Sequence, residues 1–476
     1  MRRTNTFQGL AAAGLAALAG CAVGPDYHPV AAPAPATWST PRENGLADRA
    51  PETAAWWRSF NDPTLDSLID RAAQSNPDLQ VAEAHLRQAR AIRELNSANF
   101  RPGLDVSGSY AKEKISRNQP LFGALPLAKN FPFEYSVYQT GFDASWEIDL
   151  FGAKRRAFEA ANAEWEGAIE SRNDTLISLT AEVARTYVEL RGSQRRLEIA
   201  LKTLDLQQQA LDLARARFKS GVTSELDVTR AAALLAGVQA GIPGAKTAVS
   251  QAMYGLAALL GKEPDALLAE LSAPAPVPPA PPEVPVGLPS ELLRRRPDVR
   301  RAERQLAAET ARIGEAKSDW FPKLSLTGAA GMESISFQKW FEPGSLFWSV
   351  GPSLQWRALD FGRVKAEVDA QTAVQQAALA TYEKTALTAL QETENALVAY
   401  AQEQNRHKAL VEQLAEDRRT LAMAGAQFAE GRVNYLDVLD AQRSLYEAED
   451  QLAVSDQTVS VDLIALYKAL GGGWEK

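Results

Sequence analysis

Along the middle of the chain an apolar residue returns at every seventh position without a gap: Ile169, Leu176, Val183, Leu190, Leu197, Leu204, Leu211 and Phe218. That is the spacing of a helix that packs a seam against another helix. No proline stands between Gly152 and Pro243, so the pattern predicts one long helix over about 153–219. At 1.5 Å per residue such a helix spans roughly 100 Å, more than a compact domain accommodates. A second stretch of equal length, about 363–429, has a looser seam: Leu390, Leu397, Tyr400, Val411, Leu414, Leu421 and Phe428. Unlike seams predict unlike neighbours rather than a simple two-stranded rod. Each stretch ends at a glycine, Gly221 or Gly431, as a helix C-terminus favours. Another apolar-periodic run follows at once. The pattern therefore predicts two helical hairpins with tight tips. The return helices lie at about 224–260, broken near Pro243, and at about 434–470. A further helical pattern runs from Pro63 to about Asn99.

Ahead of each long helix the period changes to two. Phe142, Ala144, Trp146, Ile148 and Leu150 alternate with Gly141, Asp143, Ser145, Glu147 and Asp149. Leu346, Trp348, Val350, Leu354 and Trp356 alternate with Ser345, Phe347, Ser349, Ser353 and Gln355. Leu104, Val106 and Tyr110, and then Leu324 and Leu326, mark partner strands. The predicted strands are about 102–115, 136–150, 322–333 and 345–358. Roughly ten residues per strand, with one apolar and one polar face, fits a transmembrane β-barrel better than a soluble sheet packed on helices. Tyr110, Tyr135, Trp146, Trp320, Phe321, Trp348 and Trp356 stand near strand ends, as interfacial aromatic girdles do. Four strands cannot close a barrel, and open edges cannot face hydrocarbon. Several chains must share one barrel: two would fill its interior, whereas three give twelve strands and leave a pore.

The chain is also written twice. Phe218, Gly221 and Leu226-Asp227-Val228 return 210 positions later as Phe428, Gly431 and Leu436-Asp437-Val438, as do Trp146 as Trp356 and Phe151-Gly152 as Phe361-Gly362. Pro77-Asp78 and Pro102 return as Pro297-Asp298 and Pro322 at an offset of 220. Two copies of one structural unit about a pseudo-symmetry axis follow. The first repeat is 63–272 and the second 291–476, with a Pro-rich, extended linker at 273–290. Each hairpin tip, Gly221-Val222-Thr223 and Gly431-Arg432-Val433, is a candidate docking surface for a shared partner, although any hairpin needs such a glycine.

The N-terminus carries a basic start (Arg2, Arg3), a short apolar stretch and Leu18-Ala19-Gly20-Cys21. The stretch is too short to span a bilayer. Residues 1–20 are expected to be a lipoprotein signal peptide, removed before Cys21, the one cysteine of the chain. Cys21 would then carry S-diacylglycerol and an N-acyl (palmitate-type) chain. Ala22 in the following position points to the outer membrane. Residues 21–62 read as an extended Pro- and Ala-rich tether. Net charge is −8, with no basic patch, so nucleic acid is not an expected partner. With one cysteine and three scattered histidines (His28, His85, His407), no catalytic site, metal site or cofactor is expected.

Five segments carry a family resemblance: Cys21-Ala22-Val23-Gly24-Pro25-Asp26-Tyr27, Trp56-Trp57-Arg58-Ser59-Phe60-Asn61-Asp62-Pro63, the two Leu-Asp-Val tips, and Leu466-Tyr467-Lys468-Ala469-Leu470-Gly471-Gly472-Gly473-Trp474. They resemble the outer membrane factors of the TolC superfamily, most closely the OprM/NodT-type efflux lipoproteins. The resemblance implies a mainly α fold with a transmembrane β-barrel. It implies a homotrimer in which each chain gives four strands to a twelve-stranded barrel, with a long periplasmic α-helical barrel and a mixed equatorial domain. It implies the exit duct of a tripartite multidrug efflux pump in the Gram-negative outer membrane. Small toxic compounds would pass passively from an inner-membrane transporter, typically of the RND type, through a periplasmic adaptor. The outer duct of a type I protein-secretion system and a lipid-anchored periplasmic scaffold without a pore are the alternatives.

In the family a leucine and an aspartate just after the second tip narrow the pore; here these match Leu436 and Asp440, with Asp437 nearby. Three copies of Asp440 close to one axis would repel. Asp437 also suits a helix N-terminal turn. The family's arginine-tyrosine latch before the second tip is replaced by Gln427-Phe428. Arg230, which stands in the first repeat where Asp440 stands in the second, is the candidate ionic partner.

Overall fold

The computed structural model describes residues 22–31, 34–41, 45–47, 49, 54–116 and 133–474. Cys21 and the signal segment lie outside them. In chain order the elements are β1 (Leu46–Ala47), a 3₁₀ turn (Trp56–Phe60), α1 (Pro63–Ser75), α2 (Pro77–Ala98), β2 (Gly103–Lys114), β3 (Glu134–Ile148), α3 (Ala153–Lys219), α4 (Glu225–Leu259), α5 (Leu268–Leu271), β4 (Val284–Pro285), α6 (Pro289–Arg295), α7 (Pro297–Ser318), β5 (Lys323–Ser334), β6 (Leu346–Gln355), α8 (Arg363–Ala429) and α9 (Tyr435–Ala469). The fold is mainly helical, with α3 and α8 each 67 residues long. Among the described residues no helix is long and apolar enough to cross a membrane.

The chain divides into two compact units that do not follow the sequence repeats. One takes residues 1–29, 87–166 and 303–380, and the other takes residues 30–86, 167–302 and 381–476. Each unit therefore draws on both repeats, because the matching elements pack on each other rather than folding apart.

The first unit holds the sheet. Its order is β2-β3-β5-β6, antiparallel throughout. Trp146 lies opposite Leu326, and Leu326 opposite Pro352. Two of its helical segments meet through Ala160, Ala163, Ala307, Ala308 and Ala311, small residues that let backbones approach. Arg304–Glu166 at 3.0 Å and the Arg312–Glu164 pair flank this contact. The N-terminal segment lies on the same unit. The Val23 N–H donates to the Phe151 carbonyl at 3.0 Å. Arg156 pairs with Asp26 at 2.7 Å and donates to the Val23 carbonyl at 3.1 Å. Gly24 has φ 98° and rests on Gly314, whose backbone a side chain at position 24 would strike.

The second unit holds the main core. Phe60, Leu65, Leu68, Ile69, Tyr187, Leu190, Leu256, Leu271, Leu397, Tyr400, Leu463 and Leu466 are buried together. Each such side chain contributes about 1.5–3 kcal/mol when removed from water. Asp62 starts α1 by accepting from the Thr64 and Leu65 N–H groups, and Pro63 supplies the preset first turn. Its second carboxylate oxygen accepts from the Tyr187 hydroxyl at 2.7 Å.

Three expectations are corrected. The helical pattern from Pro63 breaks at Asn76, which is extended (ψ 129°) because Pro77 excludes the helical conformation from the residue before it. Pro243 does not break α4. Pro243 is exposed, and so is Gln239 one turn earlier, so water can take the Gln239 carbonyl that proline leaves unbonded. The 21–62 segment is not simply a tether: Trp38, Leu46, Trp56 and Phe60 are all buried, and Trp56 stacks on Tyr467 with ring centroids 5.2 Å apart.

Candidate functional site

Two parts of the chain bear on function, and each lies within one unit. The first is the sheet. Successive side chains of a strand point to opposite faces. On one face Leu104, Val106, Tyr110, Phe142, Trp146, Leu326, Trp348, Val350, Leu354 and Trp356 are all exposed, from 38% for Trp146 to 72% for Trp348. On the other stand Asp105, Ser107, Ser109, Asp143, Ser145, Ser349, Ser353 and Gln355. An apolar face this continuous marks contact with lipid or protein. It is not covered by the chain's own helices, as a soluble sheet would require. β2 and β6 are open edges.

The second part is the pair of hairpin tips. Gly221 and Gly431 have φ of 71° and 73°, and nothing lies within 4 Å of a Cβ built on either. Conformation, not space, calls for glycine there. Both ends are closed by the same two bonds. Val222 N–H donates to the Arg217 carbonyl at 3.0 Å and Gly221 N–H to the Phe218 carbonyl at 2.9 Å. Arg432 and Gly431 repeat this on Gln427 and Phe428, at 2.9 and 3.0 Å. Each return helix then opens with a reciprocal capping box, Ser224 with Asp227 and Asn434 with Asp437. The Thr223 hydroxyl donates to Asp227 at 2.6 Å, and that bond, with those from Ser224, holds the Asp227 carboxyl below the usual range. Val222 is 63% exposed, Arg432 is exposed and pairs with Glu430 at 2.7 Å, and Val433 is half-buried.

The candidate gate residues are not all alike. Leu436 is half-buried. Asp437 is committed to capping: it accepts from the Asn434 N–H at 3.1 Å. Asp440 is exposed, with a carboxylate oxygen 3.8 Å from Arg443. Arg230 is exposed, and no ion pair joins it to Asp440 within the chain among the described residues.

What the periodicity does not reveal is how the two hairpins hold each other. Ala210, Leu211, Ala214, Ala231, Leu235, Tyr435, Val438 and Leu439 form a buried cluster at the tips. Tyr435 is buried and its hydroxyl donates to the Ala210 carbonyl of the other hairpin at 3.1 Å. The Phe428 ring lies 5.3 Å from that of Tyr435 and takes the Arg217 guanidinium 4.5 Å above its centroid. The one available signal was the mismatch of Tyr435 with Glu225 between the repeats. Elsewhere in this unit, Arg296 is almost fully buried and joins Asp298 and Glu392, both at 2.7 Å, and the Ala469 carbonyl at 3.1 Å. His407 pairs with Asp456 at 2.7 Å. Among the described residues no group of side chains suited to a metal ion occurs.

Known proteins place this geometry. A profile of the family described as outer membrane efflux protein matches residues 68–262 and 288–472. The chain is 30% identical over 458 residues to nodulation protein T of Rhizobium leguminosarum bv. trifolii, covering 96% of this chain and 95% of that one. It is 32% identical over 476 residues to the solvent efflux pump outer membrane protein SrpC of Pseudomonas putida, covering 98% of each. The outer-membrane channel OprN superposes with a TM-score of 0.88 at 37% identity, covering 96% of this chain and 100% of that one. The MtrE outer membrane channel of Neisseria gonorrhoeae, solved in its open state, does so with 0.83 at 28% identity, covering 96% and 99%. The fold is that of the TolC-like channels, and the role of such proteins is transport, not catalysis. The chain belongs to the outer membrane efflux protein family.

Proposed function

We propose that this chain forms, as a homotrimer, the outer membrane exit duct of a tripartite efflux pump that conducts small toxic compounds passively out of the cell. The observation that carries this reading is the sheet: an exposed apolar face with two open edges is stable in a bilayer only when copies close it into a barrel. Three copies give twelve strands, enough for an aqueous lumen lined by the Asp, Ser and Gln face. The relatives support the direction of transport, since SrpC is named for solvent efflux.

In this reading the tips at Gly221 and Gly431 meet a periplasmic adaptor that links the duct to an inner-membrane transporter of the RND type. Leu436 and Asp440 narrow the lumen, and Arg230 of one copy pairs with Asp440 of the next. The Tyr435–Ala210 bond and the Arg217–Phe428 stack hold the hairpins together in the closed state, in place of the missing arginine latch. Cys21 carries the diacylglycerol and acyl chains.

Purified full-length protein in planar bilayers is expected to conduct, and a deletion strain to become sensitive to a set of drugs, dyes or solvents that the restored gene reverses. A protein that gives no conductance and whose loss changes no susceptibility would be a scaffold, and the reading would fall.

A further inference from the structure

The two halves of the sheet are related by symmetry more tightly than their sequences require. Positions of β3 and β6 differ by 210, and those of β2 and β5 by 220. The registers obey the same offsets: Gly103 opposite Ser145 becomes Lys323 opposite Gln355. So do the junctions below the strands. The Trp146 indole N–H donates to the Phe100 carbonyl at 2.9 Å, and that of Trp356 to the Trp320 carbonyl at 3.1 Å. One contact has no counterpart within the chain, the seam where β3 of the first repeat meets β5 of the second. Its equivalent would be β6 meeting β2, and these are the two free edges.

We infer that β6 of one copy pairs antiparallel with β2 of the next in the register that the β3–β5 seam dictates. This rests on the shared-barrel reading above and adds the residues that face each other. Trp146 opposite Leu326 becomes Trp356 opposite Val106 of the next copy. Moving along, Ser353 faces Ser109, Val350 faces Lys112 and Trp348 faces Lys114. In the other direction, Arg357 faces Asp105.

Three observations support this register beyond the symmetry. First, faces agree: apolar Trp356 and Val106 share one face, and polar Ser353 and Ser109 the other. A slip by one residue would set Trp356 against Asp105 or Ser107, and Leu354 against Ser107 or Ser109. Second, the charges agree. Asp105 lies opposite Asp143 inside its own chain, a like-charge neighbour that favours a cation on its free side. The register supplies Arg357 there, while a slip by two residues does not. Third, exposed groups find partners. Phe151 stacks on Phe321 with centroids 4.5 Å apart at the internal seam. The equivalent pair is Phe361, which is 98% exposed, with Arg101 of the next copy, a guanidinium placed to lie on an aromatic face. The length of β6 agrees as well. β3, paired on both sides, ends at Ile148, whose equivalent is Ala358, while β6, paired on one side, ends at Gln355. Pairing with β2 would extend β6 by the missing three residues.

Disulfide trapping tests the register. Directly opposed positions in an antiparallel pair lie within disulfide reach. In the full-length chain, the double variant Ser109→Cys/Ser353→Cys is compared after mild oxidation with Ser107→Cys/Ser353→Cys and Ala111→Cys/Ser353→Cys, each shifted by two residues. The expected result is a covalent trimer on boiled non-reducing gels, several-fold more abundant for the first variant than for the shifted ones. Unboiled samples read assembly independently of the disulfides. Heat-sensitive trimers with a shifted pair trapped best, or with no pair trapped, overturn the register but leave the shared barrel standing. Absence of trimers in every sample, wild type included, overturns the shared barrel itself. A second arm reverses charge. Arg357→Asp or Asp105→Arg alone is expected to lower the temperature at which trimers dissociate, and the two together to restore most of it; no rescue overturns the Arg357–Asp105 pair.

Discussion

The Tyr435 hydroxyl donates to the carbonyl of Ala210 at 3.1 Å, so a side chain at the start of one return helix is tied to the long helix of the other hairpin. The bond is buried, and the first repeat, with Glu225 in the matching position, has no such group. The second hairpin is therefore held by the first through a contact that its own repeat partner cannot make.

Tyr435→Phe keeps the ring and its packing on Phe428 but removes the bond between the hairpins, leaving the Ala210 carbonyl only its own helical partner. It is expected to cost about 1 kcal/mol locally. Because the contact joins the hairpins rather than building either one, single-channel recording is the sensitive readout: open probability should rise, with little change in the amount of trimer. Unchanged gating would remove Tyr435 from the lock.

Arg296→Met removes a nearly buried guanidinium and leaves Asp298 and Glu392 without their shared cation. Breaking a buried pair from one side costs about 3–5 kcal/mol, and the low end applies because Glu392 is half in water. A lowered thermal midpoint and a reduced yield of folded protein are expected, with partial recovery on adding Glu392→Gln.

The Asp462 carboxyl is pushed up to about 6 from an ordinary 3.8, first by burial and then by the neighbouring Glu403. A folded-state value above the unfolded one means that the protonated form favours the fold. The contribution is complete below pH 3.8 and is lost as pH rises through about 6. The loss is at most about 3 kcal/mol, and smaller because Asp462 keeps some contact with water. Asp462→Asn should flatten the thermal midpoint between pH 4 and 6 and raise it at pH 7.5, as followed by thermal scans in detergent. An unaltered pH profile would mean that Asp462 titrates normally.

Gly431→Ala places a Cβ where nothing obstructs it, so only the left-handed backbone resists, at about 1–2 kcal/mol. The protein should still fold and reach the membrane. If the tip contacts an adaptor through its backbone, the drug-susceptibility phenotype should be larger than so small a stability loss explains. Wild-type resistance in a strain producing Gly431→Ala would separate the tip from docking.

The local elements were legible in the chain because each rests on neighbours in sequence. The seven-residue run ending at Phe218 and the glycine at 221 describe a helix whose observed end is Lys219. The run itself is unevenly buried: Val183, Leu190 and Leu211 are inside, but Phe218 is 45% exposed. Spacing states that a seam exists and does not say which partner covers each turn. Pro243 shows the reverse limit. Its residue type argues for a break, yet its exposed position lets the helix continue. The N-terminal stretch looked extended because it is rich in proline, and Trp38 and Trp56 are nevertheless buried in the core.

What the amino-acid order determined by itself is periodic and local: two long helices, two glycine-closed tips, four alternating strands, and a duplication whose offsets reappear in the strand registers. These depend on backbone conformation and on which face of an element is apolar, and both are encoded within a few residues. Only the tertiary structure decided which duplicated positions became different. Tyr435 reaches Ala210, and Arg217 lies on Phe428. Those contacts join residues more than two hundred positions apart, and the chain can specify them only through the packing that brings the two repeats together.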